Sequence, residues 1–390
     1  MKDLKTRRQA LKRIGTIAGA ASLTLRAFSA NSTPRRKKNA PSDRVAVLPC
    51  RSYEARELRS AFEKLFDLLG GIRSLVSNKT VTIKINLTGM KWLPFAGMPA
   101  YESYQTHPAT LAALCSILHD FGAQRIVVVE CLYWDRPMEE SLRKAGWNVK
   151  EIISAGGHRV SFEDTRNRGR WRRYSRFYVP WGGFIYPAFD FNQRYEKTDV
   201  LISLSKLKQH ACAGVTMTVK NMLGATPTSL YGNQAPTENP LVHRTDIFHS
   251  ARKRVPAGVP EELPNRFPRK AQIRIPYITA DIYGARPVDL AIVDGIRTIS
   301  GGEGWWNRGV KLEEPKLVLA GRNGVCVDAV GTYLMGFNPD AEHGKTPFPG
   351  PNCLRLLREV GLGTNKLEEI EIVGGSVEKL RYPFPAARKA

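Results

Sequence analysis

Short apolar runs alternate with helical patterns along most of this chain, and the alternation is the feature that most restricts its fold. The β-branched run 80–87 and the apolar run 125–130 are typical of strands. Between them a helix is predicted to begin at Thr106-His-Pro108, with Thr106 as its cap. A strand, a helix and a second strand in this order form a right-handed parallel unit. The sequence therefore predicts an α/β fold, a mostly parallel sheet with helices on both faces.

The same patterns predict further elements on both sides of this unit. The additional strands are expected at 45–48, 149–153, 199–203, 288–294, 316–320 and 370–373, and the additional helices at 54–69, 137–145, 215–223, 275–283, 323–335 and 351–360.

Two segments depart from the alternation and are predicted as insertions. The first, about 156–197, holds six arginines between Arg166 and Arg176, with aromatic residues interleaved or just after. Basic residues mixed with aromatics can bind nucleic acid, but no recognised motif is present. We expect a β-rich surface excursion or an anion-attracting rim, and no nucleic-acid partner. The second, about 226–274, is a long loop rich in Pro, Asn and Arg, from which His243 and Asp246 can reach back over the sheet edge.

The first 30 residues have the pattern of an export signal. Paired arginines at 7 and 8 precede an apolar, small-residue run from Ile14 to Leu25. This is typical of a twin-arginine signal peptide; a basic, disordered N-terminus is the alternative. The predicted order is a signal at 1–30, a linker at 31–43, the α/β domain at 44–374 and a basic tail at 375–390. The export machinery is then a partner, the location is periplasmic or extracellular, and no integral membrane segment is expected after processing.

Charge and cysteine usage limit the classes of ligand. The net charge is +23, and residues 1–40 hold eleven lysines and arginines against Asp3. The remainder is therefore also basic, which suits anionic ligands or an acidic surface. The six cysteines, at 50, 115, 131, 212, 326 and 353, are too scattered for a paired metal site or an iron–sulfur motif. Whether a metal or organic cofactor binds stays open, as does the disulfide state.

The stretch from Leu201 to Gly224 marks the predicted site. A strand at 199–203 is followed by a polar loop, Ser205 to Ala213, and then by the helix predicted at 215–223. In an open α/β sheet, ligands bind where the carboxyl ends of strands meet loops and helix starts. The polar residues gathered here are Lys206, Lys208, His210, Lys220 and Asn221.

Several short motifs form an ordered set along the chain: Ile83-Lys-Ile-Asn86, Thr106-His-Pro108, Gly122-Ala123, the blocks 204–210 and 220–221, Ala291-Ile-Val-Asp-Gly295, Val327-Asp-Ala329 and Met335-Gly-Phe337. Together they resemble the domain of unknown function 362 family of bacterial and archaeal proteins, over roughly residues 44–374. Some members carry a cysteine-rich, ferredoxin-like segment, which implies redox work for them. This chain lacks those cysteines, and the resemblance implies no settled reaction.

Polar side chains from several strand ends make up the candidate site. Lysines near helix N-termini can bind a carboxylate or a phosphate, and a histidine with a carboxylate can transfer protons. Structural alternatives are a helix-start role for His107, a solvated face for Lys84 and a turn anchor for Asp294. The predicted ligand-binding residues are Lys84, Asn86, Lys206, Lys208, Lys220, Asn221 and Glu303, and the predicted catalytic residues are His210, His107, Asp294 and Glu130.

Two sharper site types are not favoured. A metal held by His107, His210 or His243 with a carboxylate has no spacing signature, and nearby lysines would repel a cation. The Gly301-Gly-Glu-Gly304 turn lacks the order of a dinucleotide fingerprint. Trp305 and Trp306 after it either wall a pocket or pack in a core.

Two functions follow. The first is an exported enzyme of open reaction class that acts on a small anionic ligand in a basic cleft at strand ends. The alternative is a non-catalytic periplasmic ligand-binding or accessory protein. A shifted pKa on His210 or on an acidic neighbour would favour catalysis. A wide cleft without a buried proton-transfer pair would favour binding. We favour the enzyme.

Overall fold

One eight-stranded sheet organises the fold of this computed structural model, which describes residues 43–385 except 135, 238–241 and 265–266. The predicted signal and nearly all of the predicted linker lie outside the described residues, as do residues 386–390 of the predicted tail. The described strands are β1 Val45–Pro49, β2 Thr80–Lys84, β3 Arg125–Glu130, β4 Val160–Asp164, β5 Tyr174–Tyr178, β6 Ala188–Asn192, β7 Val200–Lys206, β8 Lys208–His210, β9 Gly214–Thr216, β10 Leu290–Gly295, β11 Thr298–Ser300, β12 Lys311–Glu313, β13 Leu317–Gly321 and β14 Ile372–Gly374.

The large sheet has the strand order β14-β1-β13-β10-β7-β2-β3-β4. β13 pairs antiparallel with both of its neighbours, and all the other pairings are parallel. The remaining strands form the short antiparallel pairs β5–β6, β8–β9 and β11–β12. The predicted α/β class with a mostly parallel sheet is confirmed.

Helices cover both faces of this sheet. They are α1 Ala55–Leu68, α2 Arg73–Val76, α3 Ala100–Ser103, α4 Pro108–Asp120, α5 Met138–Lys144, α6 Val149–Ala155, α7 Thr218–Asn221, α8 Thr228–Tyr231, α9 Ala271–Ala285, α10 Gly324–Leu334, α11 Cys353–Glu359 and α12 Val377–Leu380, with 3-10 turns at Gln193–Tyr195, Met222–Ala225 and Leu367–Glu369 and a π-helix at Thr245–His249.

The strands bury both faces because successive side chains point in opposite directions. In β13, Leu317 and Leu319 join a core that contains residues of α9, α10 and α11, whereas Val318 and Ala320 join a second core with α1, α4 and α6. This two-sided burial explains the near-continuous apolar runs in the sequence.

The strand predicted at 149–153 is wrong. Those residues begin helix α6, and the side chain of Asn148 accepts the Glu151 N–H as its N-cap. Val149 and Ile152 are buried, which is helical spacing. The next strand of the sheet is instead β4, which begins inside the predicted insertion at 156–197 and pairs with β3.

The cap of α4 is also corrected. The cap is His107, whose Nδ1 accepts the Ala109 N–H at 3.1 Å. The hydroxyl of Thr106 instead accepts the Asn86 N–H at 2.8 Å and donates to the Leu204 carbonyl at 3.1 Å. Thr106 therefore ties the segment that follows β2 to strand β7.

The Leu201 to Gly224 stretch is more extended than predicted. β7 continues to Lys206, and the predicted loop holds β8 and the turn of the hairpin β8–β9, whose second strand begins at Gly214 with a φ of +85°. The predicted helix at 215–223 shrinks to the single turn α7 and a 3-10 turn. The polar residues Ser203 and Ser205 broke the apolar pattern, yet both are buried in β7.

Candidate functional site

Four neighbouring parallel strands end at one edge of the sheet and bring two lysine–carboxylate pairs there. Lys84 ends β2 and Glu130 ends β3, and Lys84 Nζ lies 2.6 Å from Glu130 Oε1. Lys206 ends β7 opposite Asp294 of β10, with Nζ and Oδ2 3.0 Å apart. All four side chains are nearly or fully buried. The parallel register thus gathers polar residues that are distant in the sequence.

A cleft opens beside the first pair, and we call it the strand-end cleft. It offers about 80 Å³ to the centres of water-sized molecules, which is room for several waters or one small ligand. Its lining residues are Lys84, Asn86, Leu87, Thr88, Glu130, Cys131, Tyr133, Lys208, His210, Thr216, Lys220, Asn221, Leu223, Gly224, Arg244 and Glu303.

Lys84 and Glu130 hold each other firmly in the cleft wall. Glu130 Oε1 also accepts the Cys131 N–H at 2.9 Å, and Oε2 accepts the Leu87 N–H at 3.0 Å. Lys84 Nζ donates to the Ile85 carbonyl at 2.7 Å. Burial lowers the pKa of Lys84, and Glu130 opposes that shift. This pair is a fixed, internally neutral unit.

Lys208 is fixed by three acceptors. Its Nζ donates to the carbonyls of Tyr104 at 2.5 Å and Glu303 at 3.1 Å, and to Asn86 Oδ1 at 3.2 Å. Asn86 Nδ2 in turn donates to Asn221 Oδ1 at 3.0 Å. Burial lowers the pKa of Lys208 to about 7; Glu303 opposes this shift and the charge of Lys220 adds to it.

His210 is neutral and Glu303 is ionised. The Nδ1 atom of His210 accepts the N–H groups of Cys212 at 3.0 Å and Ala213 at 3.3 Å, which leaves the ring proton on Nε2. Burial lowers the pKa of His210 to about 3, against the charge of Glu303. Burial alone would raise the pKa of Glu303, but His210 and the N–H donors of Ala211 and Trp306 hold it at about 2.

Lys220 differs from the other two cleft lysines. It lies on α7, whose first N–H groups, those of Thr218 and Val219, each donate to Asp328 at 2.8 Å. Within the described part of the chain, Lys220 Nζ has no hydrogen-bond or ion-pair partner, and its side chain is partly buried. Burial lowers the pKa of Lys220 to about 8, and the Glu303 charge opposes this.

Two more hydrogen-bond donors in the cleft lack a partner among the described residues. The Thr216 hydroxyl is buried and unpaired, and His210 Nε2 has no acceptor. Arg244 adds a positive charge, held through Nε to the Thr226 carbonyl at 2.9 Å and through Nη1 to the Tyr133 hydroxyl at 2.5 Å.

The remaining predicted site residues form a separate buried cluster that does not line the cleft. Lys206 Nζ donates to the Tyr53 hydroxyl at 2.6 Å, and that hydroxyl is 3.2 Å from both carboxylate oxygens of Asp294. His107 stacks on Tyr53 with ring centroids 3.5 Å apart, and its Nε2 lies 3.3 Å from Glu102 Oε1. Burial lowers the pKa of His107. Each of these groups has fixed protein partners.

The structure therefore divides the predicted residues into two sets. Those at the strand-end cleft are Lys84, Asn86, Glu130, Lys208, His210, Lys220, Asn221 and Glu303; those in the other cluster are His107, Lys206 and Asp294. The cleft is also lined by Cys131, Tyr133, Thr216, Gly224 and Arg244, which are not among the predicted site residues. Thr216 and Gly224 lie inside the Leu201 to Gly224 stretch, and Arg244 lies beside His243. Their nearness to these predicted features is the one sequence signal that could have identified them as site residues.

Gly224 explains how the first pair fits. A Cβ atom at this position would lie 2.7 Å from Lys84 Nζ and 2.9 Å from Glu130 Oε1. Those distances are too short for any side chain without displacement of the pair. A glycine here lets the backbone approach the two charged groups.

Three further findings concern only the described residues. They contain no group of three or more His, Cys, Asp or Glu side chains placed to hold a metal ion. None of their helices has the length and apolarity needed to cross a membrane. Their six cysteines are free thiols.

Comparisons with known proteins identify a family but no activity. The family model described as "Domain of unknown function (DUF362)" matches residues 81–333. No curated protein matches the sequence. The predicted family resemblance is confirmed.

Two solved structures show distant similarity. A Thermotoga maritima protein has 13% identity and a TM-score of 0.39, with 75% of this chain and 61% of that chain covered. The lactate racemase apoprotein from Thermoanaerobacterium thermosaccharolyticum has 12% identity and a TM-score of 0.34, with 70% and 54% covered. The chain thus spans less than two thirds of either protein, and at these TM-scores neither likeness bears on its activity.

Proposed function

The chain belongs to the family described as domain of unknown function DUF362, and on that premise we propose that it is an exported enzyme acting on a small anionic substrate in the strand-end cleft. One observation carries the proposal. Among the described residues, Lys220 Nζ, His210 Nε2 and Thr216 Oγ1 line the cleft without a hydrogen-bond partner, and each of them is able to donate a hydrogen bond. Both cleft carboxylates already accept protein donors. An oxyanion supplies the acceptors that this site lacks.

The charge balance supports the same ligand class. Lys84 and Glu130 neutralise each other, which leaves Lys208, Lys220 and Arg244 to face Glu303 alone. Burying uncompensated positive charge costs free energy. A bound anion offsets that cost, so we expect anion binding to stabilise the fold and to raise the pKa values of Lys208 and Lys220.

Acid–base chemistry is assigned to Lys220. A pKa of about 8 lets the amine exchange a proton near neutral pH, as a general acid or base must. His210 stays neutral and offers its Nε2–H to a substrate oxygen. In this proposal Lys208 and Arg244 provide positive charge for binding, and Glu130 and Asn221 hold the lysines in place.

The second candidate is a non-catalytic, periplasmic ligand-binding or accessory protein. One observation favours it: Glu130 and Glu303 have fixed donors, so neither is an obvious partner for proton transfer with His210. The two candidates share the anion site and differ in whether Lys220 exchanges protons with the ligand.

Export rests on the paired arginines and the apolar run of the first 30 residues. We expect the full chain to appear in the periplasmic fraction or the medium, and the double substitution Arg7→Lys with Arg8→Lys to retain it in the cytoplasm. Equal export of both forms would contradict a twin-arginine route.

Anion binding is tested by thermal unfolding with acetate, oxalate or inorganic phosphate as probe. We expect at least one of them to raise the Tm of the wild-type protein and to have a much weaker effect on Lys220→Met. Lys150→Met is the matched control, because Lys150 is exposed on α6, away from the cleft lining. If no probe raises the Tm, or if the two variants respond alike, the proposed site is wrong.

A further inference from the structure

The three cleft lysines are not equivalent as nucleophiles. Lys84 is bound to a carboxylate at 2.6 Å and to a carbonyl at 2.7 Å, and Lys208 donates to three oxygen acceptors. Either amine would have to break these contacts before its lone pair could attack a ligand. Lys220 has no such contact with any described residue and lines the cleft. Among the three lysines that line the described cleft, Lys220 alone has a nitrogen that no protein acceptor holds.

The surroundings of Lys220 also favour the neutral amine, which is the nucleophilic form. With a pKa of about 8, about a tenth of the Lys220 side chains are uncharged at neutral pH. An exposed lysine is uncharged in well under about one molecule in a thousand at the same pH. The neutral fraction of Lys220 is therefore about two orders of magnitude larger.

The other donors of the cleft define the ligand that would meet this amine. The charges of Arg244 and Lys208 favour a carboxylate electrostatically, although the three N–H groups of Lys208 stay on protein acceptors. The His210 Nε2–H and the Thr216 hydroxyl can donate to ligand oxygens. The part of the cleft beside these groups has room for a small molecule. A short molecule with a carboxylate beside a carbonyl group has both features, and its carbonyl carbon is open to attack by an amine.

We propose that Lys220 forms an imine with a small 2-oxo carboxylic acid. The Nζ lone pair attacks the carbonyl carbon, the electron pair of the broken C=O π bond moves to oxygen, and the oxygen takes the proton that the attacking nitrogen loses. The hydroxyl group of the resulting carbinolamine then leaves with one proton from solvent as a water molecule, while the nitrogen lone pair forms the C=N bond. A C=N bond replaces the C=O bond, and the protonated imine retains one positive charge. The step needs no oxidant or reductant.

This inference rests on the proposed function, because it assigns the anionic substrate to one chemical class and gives Lys220 a covalent role. The iminium can then accept electrons from a bond at the neighbouring carbon. When such a bond breaks, its electron pair moves onto the imine nitrogen of Lys220, within a cleft that already favours anions.

Reductive trapping tests the imine. The purified protein is incubated with pyruvate and cyanoborohydride, and the adduct is located by intact mass and peptide mapping. We expect one reduced pyruvate adduct per chain, on Lys220, formed at least about tenfold faster than on exposed lysines. A less basic amine is a weaker nucleophile, but this offsets only part of the gain from the larger uncharged fraction of Lys220. Lys220→Arg should lose the adduct, and Lys150→Arg should keep it.

The outcomes separate this inference from the proposed function. Pyruvate that raises the Tm without a trapped adduct on Lys220 overturns the imine and leaves the anion site standing. Adducts distributed over exposed lysines, and equal in Lys220→Arg, also overturn the imine. Failure of pyruvate, oxalate and phosphate alike to bind overturns both. Because peptide mapping of the wild-type protein locates the adduct directly, the result does not depend on whether the variant folds.

Discussion

Replacing Lys220 by methionine should stabilise the protein at neutral pH. The ammonium group is partly buried without a partner among the described residues, and its pKa falls from an ordinary 10.5 to about 8. Each pKa unit corresponds to about 1.4 kcal/mol. This lowering of the pKa by about 2.5 corresponds to about 3.5 kcal/mol of lost stability while the group is charged, and to about 2–3 kcal/mol once partial solvent exposure is allowed for.

The destabilisation by the Lys220 charge depends on pH. Below about pH 8 the amine is charged in both the folded and the unfolded protein, so the full free-energy cost of burying the charge is present. Between about pH 8 and the unfolded pKa, the folded protein has released a proton that the unfolded chain still binds. The free energy of unfolding contributed by this group therefore rises with pH in that window. Lys220→Met removes both the cost and the rise.

Urea unfolding of the wild-type protein, Lys220→Met and Lys150→Met at about pH 7 and about pH 10 measures the effect. We expect Lys220→Met to exceed the wild-type free energy of unfolding by about 2–3 kcal/mol at the lower pH and by much less at the higher pH. Lys150→Met should match the wild-type protein at both. If Lys220→Met is destabilised at neutral pH, or if its difference does not change with pH, Lys220 has an ionic partner and the reasoning fails.

Three further predictions concern the cleft wall and its ligand. Gly224→Ala should lower the free energy of unfolding by about 1–3 kcal/mol in urea titrations, because the added Cβ would lie 2.7 Å from Lys84 Nζ; an unchanged value would mean that the pair moves freely. Lys84→Met should lower the free energy of unfolding by about 3–5 kcal/mol, because it leaves the Glu130 carboxylate buried without its cationic partner. Adding Glu130→Gln should restore part of that loss, and additive losses in this double-mutant cycle would refute the pairing. Oxalate binding should take up protons, and it should weaken above about pH 8, where Lys220 loses its charge. Calorimetry in buffers of different ionisation enthalpy measures the proton uptake, and zero uptake would refute the coupling between anion binding and the charge of Lys220.

The position of the site at one edge of the sheet could be predicted, because it follows from the parallel order of the strands. Parallel strands end on the same side, so Lys84 and Glu130, at the ends of two neighbouring strands, had to lie close together. The sequence did not indicate that Lys206 and Lys208 lie in different sites. They are two positions apart, yet Lys206 ends β7 and pairs with Asp294, while Lys208 begins a hairpin beside the cleft.

Other features depended on tertiary contacts that leave no local pattern. Val149 and Ile153 fit a short strand as well as a helix, and the Asn148 cap decided for the helix. Arg244 reaches the cleft from a segment without periodicity, and its binding to the Thr226 carbonyl is visible only in the fold. Gly224 is needed because of two side chains far away in the sequence.

The most direct test of the central claim is the NMR titration of the Lys220 amine, assigned by comparison with Lys220→Arg. Without ligand, the Lys220 signal should titrate near pH 8, and saturating oxalate should move its pKa upward by about one unit or more. A signal that titrates near the ordinary value of 10.5, and that oxalate does not move, would contradict both the uncommitted buried amine and the anion site built around it.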